Sequence, residues 1–158
     1  MRFFIVVALL FGGVTRAYGD TVVEQLQQFT GSKDIRILDE AVNRAVAVIA
    51  EAHTEEFNRI YDLEYGKLRI SNMYSGSPST ANSTAAKVRV NLAFTDVLIH
   101  GMEDLVRHIE KEHLFLYWDL AQQAIVRHAF DLKFSNNVHP SILQNHISRK
   151  IYFKKVIG

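Results

Sequence analysis

Ile35, Leu38, Val42, Ala45, Ile49 and Ala52 recur along the chain at alternating steps of three and four. That spacing traces one stripe along an α-helix, and it predicts an amphipathic helix from about Asp34 to Asn58. Asp39, Glu40, Asn43, Arg44, Glu51 and Glu55 fall mostly on the opposite face, while Val46, Val48 and Phe57 widen the apolar one. A helix of this length draws most of its stability from packing that face, so the rest of the chain must supply a large cover. The pattern stops after about three heptads, which argues against a coiled coil.

The period then changes to two. Leu68, Ile70 and Asn72 alternate with Lys67, Arg69 and Ser71. Val88, Val90, Leu92 and Phe94 alternate with Lys87, Arg89, Asn91 and Ala93, and after Thr95-Asp96 the phase slips to Val97 and Ile99. Leu114, Leu116, Trp118 and Leu120 alternate again, as do Val126, His128, Phe130, Leu132 and Phe134. Such alternation reads as half-buried strands, and the slip as a bulge near Asp96. The serine-rich stretch from Ser75 to Thr84 reads as an exposed loop, and His100-Gly101 and Asn136-Asn137 as turns.

Two segments stay open. Thr21 to Glu24 has capping-box spacing, and Val22, Leu26 and Phe29 fit either a short helix ending at Gly31 or a fraying terminus. Met102, Leu105, Val106 and Ile109 fit a helical face or a strand. Pro140 opens a final helix with Ile142, Leu143, Ile147 and Ile151 on one side. Arg149, Lys150, Lys154 and Lys155 lie near its end, where cations suit the helix dipole. The expected fold is α+β: a long amphipathic helix wrapped by a curved antiparallel β-sheet, with a short carboxyl-terminal helix.

The amino terminus carries an address. Arg2 precedes an unbroken apolar run from Phe3 to Phe11, and Ala17-Tyr18-Gly19 places small residues before a cut at Asp20. This is the pattern of a secretory signal peptide over residues 1–19, with an h-region too short to span a bilayer. Taking 19 residues from 158 leaves a single domain of 139 over residues 20–158. The cut removes two of 18 basic residues and none of 17 acidic ones, so the formal charge moves from +1 to −1. A secreted, extracellular protein of near-zero charge is not expected to bind nucleic acid. The chain has no cysteine, which excludes thiol catalysis, thiolate metal sites and disulfide stapling. Asn82-Ser83-Thr84 is a glycosylation sequon in the expected loop, and Asn82 is expected to carry a glycan.

No nucleophile elbow, phosphate-binding loop or dinucleotide fingerprint is present. His108, Glu110, Glu112 and His113 form the densest titratable cluster, but its histidines are five apart rather than the four of a helical zinc motif. It reads as a solvated charged turn, and His128 as a hydrogen-bonded core histidine. His53, His100, His139 and His146 are scattered. The adjacent pairs Glu55-Glu56 and Glu103-Asp104 point different ways. A non-enzyme with no cofactor and no metal is expected.

The helix from Leu38 to Ile49, followed by Asp62-Leu63-Glu64-Tyr65-Gly66-Lys67-Leu68-Arg69-Ile70-Ser71-Asn72, resembles the group-seven mite allergens and the wider tubular lipid-binding superfamily. That superfamily includes the bactericidal/permeability-increasing, takeout and juvenile-hormone-binding proteins. The resemblance implies a sheet wrapped round a long helix, with an apolar ligand (a lipid, fatty acid or terpenoid) held between them. Val88, Val90, Leu92, Phe94, Leu116, Trp118, Phe130 and Leu132 would then line the concave strand faces as ligand-binding residues. Two alternatives stand beside this reading. One is a cystatin-like interaction module, although the inhibitor's Gln-x-Val-x-Gly loop is missing. The other is a venom or salivary component that touches an anionic membrane surface through the basic tail from Arg149 to Lys155.

Overall fold

The computed structural model describes residues 19–75, 80–130 and 140–157, and all regular structure among them is helical. A π-helical turn, Gly19–Val23, leads into α1 (Glu24–Ser32). Then follow α2 (Ile35–Ala52), α3 (Thr54–Ser75) and α4 (Thr80–Glu103). Two 3-10 turns, Val106–His108 and Lys111–His113, connect to α5 (Leu114–Phe130), and α6 (Pro140–Ile157) closes the chain.

The long stripe begins where the sequence places it. Lys33 adopts a left-handed conformation, φ 59°, and its N–H bonds the Phe29 carbonyl at 2.6 Å, which ends α1. Asp34 is then extended, and its carboxylate accepts the Arg36 N–H at 3.0 Å, capping the first turn of α2. Leu38, Ala41, Val42, Ala45, Val46, Ile49 and Ala50 are buried, while the stripe's two end residues, Ile35 and Ala52, are exposed. The helix breaks at His53, whose Nδ1 lies 2.8 Å from the Ile49 carbonyl. A carbonyl only accepts, so that nitrogen carries the proton. The chain resumes at once as α3, with the Phe57 N–H bonding the His53 carbonyl at 2.9 Å. The helix expected from Asp34 to Asn58 is therefore two helices joined by an elbow at His53.

The core lies between α2, α4, α5 and α6, with α1 laid against α2. Leu38 and Ile49 of α2, Leu98 and Met102 of α4, Tyr117 and Ile125 of α5, and Leu143, Ile147 and Ile151 of α6 are all fully excluded from solvent. Each such aliphatic side chain contributes roughly 1.5–3 kcal/mol relative to exposure. The Tyr117 hydroxyl donates to the Met102 carbonyl at 2.6 Å, tying the start of α5 to the end of α4. The arm formed by α3 differs. It packs chiefly along α4, with an Arg89–Glu64 ion pair at 2.8 Å, and none of its described side chains is buried.

The expected α+β fold is overturned. The stretches read as strands at Leu68–Asn72, Val88–Ile99, Leu114–Leu120 and Val126–Phe130 all lie in helices, and the described residues contain no sheet. The reason is visible in α4. Its buried positions Ala86, Val90, Phe94, Leu98 and Met102 step by four, and Asn91, Thr95 and Ile99 are buried beside them. Asn91 and Thr95 donate to the Lys87 and Leu92 carbonyls, each at 2.8 Å, so polar side chains occupy the inner face with bonds made inside the helix. Val88 and Leu92 are half-buried as well, because α4 is contacted from several sides. A helix contacted from several sides spreads its apolar residues beyond one face, which blurs its period of 3.6 and leaves a chance alternation of two. In α5 the inner face is carried largely by Ala121, Ala124 and Ala129, which an apolar pattern weights lightly.

Other details change with the fold. Residues 80–84 form the first turn of α4 rather than a loop, and His100 and Gly101 lie in its last turns rather than in a turn between strands. Asp96 sits in mid-helix, so there is no bulge. The segment from Met102 to Glu110 finishes α4 and enters a 3-10 turn, with Met102, Leu105 and Ile109 buried. Val22, Leu26 and Phe29 are buried against the bundle, so this end is docked helix and not a fraying tail. The last helix spans 18 residues, longer than expected, and buries Leu143, Ile147 and Ile151 but not Ile142. Residues 1–18 of the expected signal peptide over 1–19, the expected turn at Asn136-Asn137 and the positions of Leu132 and Phe134 lie outside the described residues.

Candidate functional site

Without a sheet there are no concave strand faces, and the eight expected ligand-binding residues separate. Val90 and Trp118 are buried in helix packing, Trp118 edge-on to Tyr117 with ring centres 5.2 Å apart. Val88, Leu92 and Leu116 are half-buried and pack against the core. The Phe130 side chain and Leu132 lie outside the described residues. Phe94, also among the described residues, lines a cleft.

That cleft, about 310 Å³, opens where the elbow between α2 and α3 meets α4 and α5. Ala47, Ala50 and Glu51 of α2, Thr54 and Phe57 of α3, Phe94 of α4 and His128 of α5 line it. The local sequence explains its shape. Two alanines on one side of α2 leave room that larger residues fill elsewhere along the stripe. Just past the interruption at His53, Phe57 of α3 meets Phe94 of α4, with ring centres 4.3 Å apart and planes tilted by 49°. His128 stands on the other side of Phe94, ring centres 6.5 Å apart. The result is an apolar wall of two aromatic rings beside an alanine floor. Glu51, Thr54 and His128 supply polar groups at its edge, an arrangement suited to an apolar molecule with a polar end.

A second cleft, about 280 Å³, lies on the other flank of the same elbow, lined by His53, Glu56, Asp96, Val97, His100, Gly101 and Asp104. It gathers histidines that the sequence left scattered. His146 Nε2 lies 2.8 Å from Asp96 Oδ1, with Lys150 Nζ 3.7 Å from the same oxygen. The carboxylate is thus engaged by its own fold, and no serine, threonine or lysine is among the lining residues to act as a nucleophile.

The cluster that the sequence presents as a charged turn does form a turn. Ligand atoms of Glu110, Glu112 and His113 lie within 4.8 Å of one another around the second 3-10 turn. The Glu110 hydrogen bond first, then the charges of Lys33 and His113, hold the Glu112 carboxyl below its ordinary range. Lys33 Nζ stands 3.8 Å from Glu112, so a side-chain cation already faces this group. Burial, followed by the neighbouring Arg107, pushes the His108 imidazole below its usual value. The basic tail also turns inward. Lys150 pairs with Asp96, Lys154 with Glu103, and Lys155 with Asp119 at 3.0 Å. Asn82 lies in the first turn of α4, and its side chain is outside the described residues.

No described helix is long and apolar enough to cross a membrane. Comparison with models of known protein families, with curated proteins and with solved structures gives no match.

The sequence reading missed most of the cleft. Ala47, Ala50, Glu51 and Thr54 carry no signal of their own, since their role comes from the elbow. Two hints were present. Phe57 falls where the stripe's regular steps end, and His128 interrupts an apolar run.

Proposed function

We propose that the protein is a secreted, non-enzymatic binder of a small apolar molecule, and that the ligand occupies the cleft between the His53 elbow and helices α4 and α5. The observation that carries this reading is the Phe57–Phe94 wall beside the buried Ala50, with Ala47 at the mouth and His128 at the edge. A volume near 310 Å³ stands at the small end of ligand sites, which favours a terpenoid or one end of a fatty acid over a whole two-chain phospholipid. Affinity comes from burying apolar ligand surface at about 25 cal/mol per Å², reduced by the cost of association. A cut before Asp20 leaves Val22, the first buried side chain, in place, so secretion of residues 20–158 is compatible with this core. The reading rests on the cleft and not on the lipid-binding superfamily, whose helix-and-sheet architecture the described residues do not share.

Trp118 is ten residues from His128 on the same helix, about 15 Å along the axis, so its emission reports on the core rather than on the cleft. The test therefore brings its own reporter. Ala47 is exposed at the cleft mouth, and Ala47→Trp places an indole there without disturbing the interior. Titration of this variant with farnesol and with lauric acid is expected to shift the new emission, and Ala50→Leu, which fills the floor, is expected to weaken binding of the same compounds at least tenfold. Unchanged emission, together with no displacement of N-phenylnaphthylamine from the wild-type protein, sinks the proposal.

A further inference from the structure

The polar edge of the cleft beside Phe57 and Phe94 is made chiefly of hydrogen-bond acceptors. The Thr54 hydroxyl donates its one hydrogen to the Glu51 carbonyl at 2.7 Å, so only its lone pairs remain to face a guest. The Glu51 carboxylate only accepts, is exposed, and makes no ion pair with a described residue. A neutral imidazole offers one donor and one acceptor, so a single N–H of His128 is the one side-chain donor left among the described lining residues. Charge points the same way. Glu51 lines the cleft, and Glu55 and Glu56 follow in the first turn of α3. No lysine or arginine is among the described lining residues. Arg127, next to His128 in the chain, reaches α2 instead, where its guanidinium donates to Asn43 Oδ1 at 2.6 Å. A carboxylate seated at this edge would give up its hydration to meet a like charge and one donor.

We infer, on the reading that a small apolar molecule occupies this cleft, that its polar end is a hydrogen-bond donor, a hydroxyl or an amine, and that Glu51 sets this preference over a carboxylate. An alcohol has the hydrogen that Glu51 or Thr54 accepts, and lone pairs for the His128 N–H. An ammonium has donors alone, adds a charge attraction to Glu51, and suits the faces of the aromatic rings beside it. The apolar chain gains the same contact with Ala50, Phe57 and Phe94 in each case, so the polar end decides among ligands of equal length.

Dodecanol, dodecylamine and lauric acid share one chain length and differ at the polar end. Each is titrated, below its micelle onset, against N-phenylnaphthylamine bound to the wild-type protein. Dodecanol and dodecylamine are expected to bind about fivefold or more tightly than lauric acid. Glu51→Lys sets a cation at the same edge and is expected to reverse the order, with lauric acid then exceeding dodecylamine. Glu40→Lys makes the same change of charge eleven residues earlier on α2, about 16 Å away along the axis, and is expected to keep the wild-type order. Both positions are exposed, so both variants are expected to retain the helical circular dichroism of the wild type. Lauric acid binding as tightly as the other two would overturn the donor preference and leave the cleft ligand standing. An unchanged order in Glu51→Lys would overturn the role of Glu51, and a reversal by Glu40→Lys as well would trace the order to overall charge and overturn it too. Displacement by none of the three would remove the cleft ligand itself, and the donor preference with it.

Discussion

Gly101 lies so close to Ile49 that a Cβ built on it would stand 2.7 Å from Ile49 Cγ2 and 2.9 Å from Ile49 Cδ1. Both residues are buried, and Ile49 is held by the rest of the α2 face. The glycine therefore lets α4 approach α2 closely at Ile49, one turn from the helix interruption beside the cleft. Gly101→Ala gains helix propensity but must displace a packed side chain, and the overlap wins. The expected loss is about 1–3 kcal/mol by urea unfolding. The companion change Ile49→Val removes the Cδ1 methyl, and the double variant is expected to lose less than the sum of the two single changes.

Tyr117 tests the tie between α4 and α5. Its hydroxyl is buried and donates to the Met102 carbonyl, a group near the end of α4 where intrahelical donors run out. Tyr117→Phe keeps the ring and its edge-on packing against Trp118 while removing the donor. Stability should fall by about 0.5–1.5 kcal/mol, with Trp118 emission nearly unchanged in the folded state. A larger loss with a red-shifted emission would show that the hydroxyl also keeps water out of the core.

Asp34 gives a pH dependence with a definite sign. The hydrogen bonds from the Arg36 side chain and then from its backbone N–H hold the Asp34 carboxyl below its usual value of 3.8. A depressed folded-state value means that the cap contributes fully above the unfolded-state value and is lost as the pH falls through the folded one. Wild type should melt a few degrees above Asp34→Ala at neutral pH, with the two curves converging as the pH drops below 3.8. A gap that stays constant down to strong acid would exclude the carboxylate as its source.

The comparison of sequence with structure divides by helix environment. α2 was legible because it is covered on one side, so its buried and exposed residues separate cleanly at Leu38, Val42, Ala45 and Ile49. The start of α2 near Asp34 and the helix opening at Pro140 were legible too. α4 and α5 were not, because they stand between several neighbours and bury Ala86, Asn91, Thr95, Ala121 and Ala124, residues that do not announce a face. Lys87, Arg89, Asn91 and Ala93 fell between apolar residues and gave an alternation that no sheet explains. Of the site, Phe94 was named for a strand and lines the cleft as part of a helix. The remaining lining residues depend on the helix interruption at His53, where the ring nitrogen and the backbone N–H both meet the Ile49 carbonyl, and spacing does not reveal such an interruption.

The arm formed by α3 has a consequence for how the protein can change over generations. None of its described side chains is fully buried, and those on its outer face are exposed, so mutations there escape the stability threshold that restrains α2 or α5. Selection on that surface is then answerable only to what the surface contacts. Related chains are expected to diverge faster along the exposed Leu63, Ile70 and Met73 than at Gly101, which faces Ile49.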